Sequence, residues 1–235
     1  MSGFLEGKVA VVTGGTRGIG RAIAEALLRE GAAVAICGRT EEGVRRAVEA
    51  MAPLGRICGR AADVGRWEDV ENLFVFVERE LGGVDILVNN AGVGVFAPAA
   101  ELSLDDWRRT METNLTGAFH ATRAAIPIMK RRGGGFVINI GSLAGKSPFA
   151  GGAAYNASKF GLNGFSEAVM LDYRYENIRV ATIMPGSVAT EFGQSGPEDW
   201  KIAPEDIAQI VLFMLRMPAR TLVSRVEVRP SKPRR

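Results

Sequence analysis

Histidine is almost missing from this chain: His120 is the only one in 235 residues, and cysteine occurs twice, as Cys37 and Cys58. A transition-metal centre needs His, Cys and carboxylate ligands at close spacing, and no such cluster recurs, so no metal site is expected. Two cysteines leave no room for a disulfide framework. Both sit in apolar runs and read as buried free thiols of a reducing compartment. No run of eighteen apolar residues occurs, which excludes a membrane helix on sequence grounds. The opening MSGFLEGK lacks the apolar core of a secretory signal. A cytoplasmic protein is the expectation.

An excess of charge of one sign is lacking as well. The chain has 29 Lys and Arg against 26 Asp and Glu, a net charge of +3. Its basic doublets (Arg45-Arg46, Arg108-Arg109, Arg131-Arg132) stand among acids at helical positions and read as solvated helix faces, so no nucleic-acid partner is expected. The ending RPSKPRR, about 230–235, reads as a loose basic tail.

What is present is an alternation. Short runs rich in Val and Ile (KVAVVTG, AAVAICG, RICGRAAD, VDILVNNAG, GFVINIGS, IRVATIMPG, VSRVEVRP) read as buried parallel strands. Between them lie amphipathic stretches such as GRAIAEALLREG, stopped by Gly31, and one long run from SLDDW to IMKRR. With 47% hydrophobic and 23% charged residues, the pattern predicts one doubly wound α/β domain over residues 1–235. Its seven-stranded parallel sheet carries helices on both faces, and ligands are expected beyond the carboxyl ends of the strands.

The first strand exit reads VTGGTRGIGRAI. It lacks the Lys of a phosphate-binding Walker loop and the third glycine of Gly-x-Gly-x-x-Gly. Gly14, Gly15, Gly18 and Gly20 nevertheless open the backbone at a helix start, where N–H groups and the helix dipole favour an anion. The second strand ends in ICGRT. Gly38 and Arg39 stand where an NAD site places an acid against the ribose 2′-hydroxyl, and no acid follows until Glu41. The missing acid leaves room for a 2′-phosphate, with Arg39 and Arg17 as its partners, and favours NADPH/NADP+ over NADH.

YNASK places Tyr155 and Lys159 four residues apart, on one helix face. An ammonium there is expected to lower the phenol pKa and make Tyr155 a general acid for carbonyl reduction. Ser142, at the exit of GFVINIGS, offers a hydroxyl to the same carbonyl. Asn114 in METNLTG is a polar residue that a helix disfavours unless its amide is used.

The spacing Thr13-Gly14 to Gly18-Ile19-Gly20, the tetrad Asn114, Ser142, Tyr155 and Lys159, and the later PGSVAT resemble the short-chain dehydrogenase/reductase family over residues 7 to about 190. The overall pattern is closest to its 3-oxoacyl-thioester reductase branch. The resemblance implies a Rossmann-type catalytic domain, a homodimer or homotetramer, and a small carbonyl or alcohol substrate. It implies cofactor contacts from Gly14, Thr16, Arg17, Gly18, Ile19, Gly20 and Arg39. Asp63 and Val64 would follow on the adenine side, with Asn90, Ala91 and Gly92 walling the adenosine. Tyr155 and Lys159 would meet the nicotinamide ribose. Pro185, Gly186, Val188 and Thr190 would meet the nicotinamide and pyrophosphate. In the family Asn114 holds a water that relays protons from the lysine.

Two departures are evident. The segment after Thr190, EFGQSGPEDWKIA, is short for a lid, implying an open cleft completed by Phe192 and Trp200. The C-terminal stretch departs from the family's tetramer-forming ending. An NAD(P)-dependent alcohol or sugar dehydrogenase of the same family is the alternative enzyme. A silent NADP(H)-binding regulator would be expected to lose Tyr155 or Lys159, and both are present.

Overall fold

The computed structural model describes residues 3–192 and 198–233. Seven parallel strands form one sheet: β1 (Val9–Val12), β2 (Ala33–Gly38), β3 (Ile57–Ala61), β4 (Ile86–Asn89), β5 (Gly135–Ile140), β6 (Ile178–Pro185) and β7 (Arg225–Val228), in the order β3-β2-β1-β4-β5-β6-β7. β1, VAVV, is buried throughout, as a strand covered on both faces must be. Its register against Ala33–Ile36 on one side and Ile86–Val88 on the other makes it an interior strand, third of the seven.

Seven α-helices cover the faces: α1 (Gly18–Arg29), α2 (Glu41–Met51), α3 (Trp67–Leu81), α4 (Leu104–Met111), α5 (Gly117–Arg131), α6 (Ala153–Tyr173) and α7 (Pro204–Arg216). Side chains of β1 alternate between two cores. Ala10 and Val12 join α1, α2 and α7 through residues such as Ile23, Val44 and Ile207. Val9 and Val11 join α3 and α5 through Leu73, Val77 and Met129, with Val169 of α6 at the margin. The doubly wound seven-stranded architecture expected from the sequence is what forms.

Local signals explain the boundaries. Thr40 caps α2 by accepting a hydrogen bond from the Gly43 N–H, and Glu41 and Glu42 favour its positive end. Gly31 follows α1 at φ +90°, a backbone that stops a helix. One expectation changes: the long run from SLDDW to IMKRR is not one α-helix. Residues Glu112–Thr116 form a π-turn between α4 and α5, and such wide turns interrupt helices where a side chain is needed elsewhere. Asn114 lies in it.

Candidate functional site

Strand order reverses between β1 and β4, and their carboxyl ends are joined there. The Asn90 amide donates to the carbonyls of Thr13 and Gly14, each at 3.0 Å, and the Thr13 hydroxyl accepts from the N–H groups of Asn90 and Ala91. A cleft of about 1190 Å³ opens beyond this seam. That exceeds the roughly 300–1,000 Å³ of drug-sized ligand pockets and suits a dinucleotide with a second molecule.

Of the expected cofactor residues, Gly14, Thr16, Arg17, Gly18, Ile19, Arg39, Asp63, Val64, Asn90, Ala91, Gly92, Pro185, Gly186, Val188 and Thr190 line the cleft. Ser142, Tyr155 and Lys159 line it as well. Gly20 does not. It is buried, and a Cβ there would lie 2.4 Å from both the Asn90 amide nitrogen and the Gly14 carbonyl oxygen, so its role is to let α1 approach the β1–β4 seam. Asn90 is engaged chiefly with backbone, as expected for a strand-end Asn. Asn89 is buried and ties strands to helices, donating to Asn139 at 2.8 Å and Thr122 at 3.0 Å.

The turn after β1 is shaped as an anion cradle. Gly14 and Gly18 adopt φ of +63° and +54°, and α1 starts with no side-chain cap, so its first N–H groups face the cleft. Thr190 stands close against this turn: a Cβ on Gly18 would come within 3.3 Å of its methyl group. At the end of β2, Arg39 is exposed and has no carboxylate partner among the described residues. A Cβ on Gly38 would press on Thr16 at 2.8 Å, so the glycine keeps this corner open. These features fit a phosphorylated dinucleotide.

Arg17 lines the cleft and also pairs with Glu191 at 2.8 Å, a contact not foreseen from the sequence. Both side chains are largely exposed, so the pair is weak and exchangeable.

The reacting end lies at the exits of β4, β5 and β6. Ser142 caps the short turn after β5, accepting from the Ala144 N–H at 3.1 Å, and its hydroxyl also contacts the Tyr155 phenol. Lys159, buried, donates to the Ile140 carbonyl at 2.9 Å, and its ammonium nitrogen lies 5.7 Å from the Tyr155 ring centre. Burial pushes Lys159 down to about 8.

The expected lowering of Tyr155 is overturned. Burial raises its phenol above the ordinary value, and only the Ser142 hydrogen bond acts the other way. In the resting state the ammonium sits beside the ring and is bonded to a carbonyl, so it does not outweigh desolvation of the hydroxyl. The resting side chain is therefore a neutral phenol.

Asn114 does not line the cleft. Its amide accepts from the Val93 N–H at 2.8 Å and donates to the Val93 carbonyl at 2.9 Å and the Ser158 hydroxyl at 3.0 Å. It thus clamps the loop after β4 to α6, one residue before Lys159. Its carbonyl oxygen and the Lys159 nitrogen lie 3.4 and 4.0 Å from the Cβ position of Gly92, so the two groups border one small space.

Sequence reading missed Phe96 and Phe149. Both line the cleft and, with Phe192, pack on Tyr155. They follow β4 and β5, so the rule that ligands gather beyond strand ends was the signal available. The tail expected to hang loose instead lies along the cleft, with Arg229, Pro230 and Pro233 among its walls. Trp200 also lines it, while residues 193–197 of the expected lid fall outside the described residues. Among the described residues no three His, Cys, Asp or Glu side chains are placed to hold a metal, and no helix is long and apolar enough to cross a membrane.

A Rossmann-type sheet with a glycine cradle at its switch point and a Ser-Tyr-Lys group at the next strand exits defines a nicotinamide-dependent oxidoreductase. Residues 8–200 match the short chain dehydrogenase family model, and the chain belongs to that family. It is 36% identical over 97% of its length to glycine betaine reductase ATRR of Emericella nidulans, of which it spans 19%. It is 35% identical over 89% of its length to 3-oxoacyl-(acyl-carrier-protein) reductase FabG of Vibrio cholerae, covering 90% of that protein. A solved structure of a metagenomic short-chain oxidoreductase in complex with NADP superposes with a TM-score of 0.86 at 36% identity, covering 97% of this chain and 99% of the other.

Proposed function

We propose that this enzyme reduces a ketone or aldehyde to an alcohol, with NADPH as reductant and Tyr155 as proton donor. The observation that carries the reading is the placement of the half-buried Tyr155 phenol in the cleft, in contact with the Ser142 hydroxyl and with the Lys159 nitrogen 5.7 Å from its ring centre. A proton donor must be protonated at rest, and desolvation keeps it so. When bound, the reduced nicotinamide supplies hydride to the carbonyl carbon. Ser142 and Tyr155 aim their hydroxyls at the same carbonyl oxygen, and the Tyr155 proton passes to that oxygen as it gains negative charge. The Lys159 ammonium then stabilises the tyrosinate left behind. Asn114 acts as a positioning residue for the β4 loop and α6, bordering the space beside Lys159 through which a proton can be returned.

The cradle at Gly14–Gly18 would hold the pyrophosphate and Arg39 the 2′-phosphate. Support for NADPH over NADH comes from the free Arg39, the open corner at Gly38 and the NADP in the similar solved structure. A 3-oxoacyl thioester is one carbonyl class that the similarity to FabG suggests. The enzyme works as a cytoplasmic homodimer or homotetramer on a small molecule. A panel of carbonyl compounds followed by NADPH absorbance tests the activity. Turnover is expected in the wild type and not in Tyr155→Phe; full activity of that variant would remove Tyr155 from the mechanism.

A further inference from the structure

Among the described residues, every aromatic ring packed against Tyr155 is a phenylalanine. Phe96 meets it edge-to-face with centroids 5.6 Å apart, Phe192 lies at 5.8 Å and Phe149 at 6.4 Å. Phe96 and Phe149 also meet each other edge-to-face at 5.6 Å. All three line the cleft and keep between 41% and 45% of their surface exposed, so these are cleft walls and not core. Three separate segments supply them: the loop after β4, the loop after β5 and the segment after β6.

The walls are held in place. An isolated parallel bridge between Ala97 and Gly152 ties the first two loops. The Asn156 amide donates to the Phe149 carbonyl at 2.9 Å, and the Phe192 N–H donates to Thr190 at 3.2 Å. Gly94 lets the outer rings lean inward, since a Cβ there would lie 2.8 Å from the ring tips of both Phe96 and Phe192. The three rings themselves offer neither a charge nor a hydrogen-bond donor. A polar group beside the reacting carbonyl would lose water against them and gain no partner. A flat aromatic ring, by contrast, continues the edge-to-face arrangement already present.

We propose that the substrate carbonyl is attached directly to an aromatic ring, and that Phe96, Phe149 and Phe192 select it. This rests on the carbonyl-reductase reading of Tyr155. The test compares kcat/KM for phenyl methyl ketone and cyclohexyl methyl ketone, two substrates of similar size, with saturating NADPH. Conjugation makes the aryl ketone intrinsically the harder to reduce, so a preference for it comes from the protein. The wild type should favour the aryl ketone by about 10-fold or more, and Phe96→Leu and Phe149→Leu should each lower the ratio roughly 2- to 10-fold, the range of one aromatic contact. Using the ratio cancels losses common to both ketones. Phe213→Leu, on the exposed face of α7, should leave the ratio unchanged.

Turnover of both ketones with a wild-type ratio of one or less, or with a ratio unmoved in both cleft variants, would overturn ring selection and leave the reductase reading standing. Turnover of neither ketone by enzyme that reduces another carbonyl of the panel would overturn ring selection alone, and absence of turnover on every carbonyl of the panel by enzyme that binds NADPH would overturn both.

Discussion

The Lys159 ammonium nitrogen lies 5.7 Å from the centre of the Tyr155 ring and donates to the Ile140 carbonyl at 2.9 Å. The pair thus joins a half-buried phenol that desolvation keeps neutral to a buried amine that desolvation pulls down to about 8. Below that value Lys159 is charged and can stabilise a tyrosinate; above it the charge is lost.

A pH dependence follows. The Lys159 pKa is lowered from 10.5, so its charged form persists up to about 8, while the raised Tyr155 phenol stays protonated through that range. Carbonyl reduction should be level below about pH 8 and fall above it. Lys159→Gln should lower kcat by roughly 100-fold, the lower range of acid–base contributions, and erase the inflection. A wild-type profile without a break between pH 7 and 9, measured as kcat against pH, would contradict this.

In the proposed reading Arg39 selects the cofactor by pairing with its 2′-phosphate. A charge-assisted hydrogen bond contributes about 1.5–3 kcal/mol, which corresponds to roughly 10- to 100-fold in affinity. Arg39→Ala should weaken NADPH binding by that factor and leave NADH nearly unchanged. Titration of both reduced nucleotides by fluorescence checks it, and equal losses for the two would deny Arg39 the 2′-phosphate.

Asn114 links two segments that must not drift apart. Asn114→Leu removes the partner of both Val93 backbone groups, while the Ser158 hydroxyl keeps its bond to the Tyr155 carbonyl, and each unsatisfied group costs about 1–3 kcal/mol. Urea unfolding should show a loss of at least about 2 kcal/mol. Activity measured where the variant is still folded should fall further than the folded fraction does.

Asp85 is the contrast case. It precedes β4, at the end of the sheet away from the cleft, is buried, and binds Arg132 through both oxygens at 3.1 and 2.8 Å as well as the Val9 N–H. Losing the buried carboxylate's hydrogen bonds to the Val9 N–H and to the more exposed Arg132 costs about 1–3 kcal/mol. Asp85→Ala should therefore lower the denaturation midpoint strongly while leaving the KM for NADPH unchanged in the folded protein. A shifted KM with an unmoved midpoint would reverse the assignment.

Much of this was legible along the chain because the signals are local. A parallel strand buried on both faces must be a short apolar run, and a phosphate turn must be glycine-rich, so β1 and the Gly14–Gly20 stretch announce themselves. Tyr155 and Lys159 are four apart on α6, and helix geometry puts them together. What was not legible depends on contacts across the chain. Phe96 and Phe149 are 53 residues apart and meet only because Ala97 bridges Gly152. Arg17 finds Glu191 because Gly18 lets Thr190 come close. The π-turn at Asn114 shows only when its amide is seen bonded to Val93 and Ser158. The direction of the Tyr155 shift depends on how far the folded protein strips water from the phenol.

The central claim is that Tyr155 delivers the proton in an NADPH-driven carbonyl reduction. Its most direct test is single-turnover oxidation of enzyme-bound NADPH by a carbonyl substrate in wild type and Tyr155→Phe, with NADPH affinity measured on the same samples. The expected result is unchanged NADPH binding and a rate at least about 100-fold lower in the variant. An equal rate in both would contradict the account.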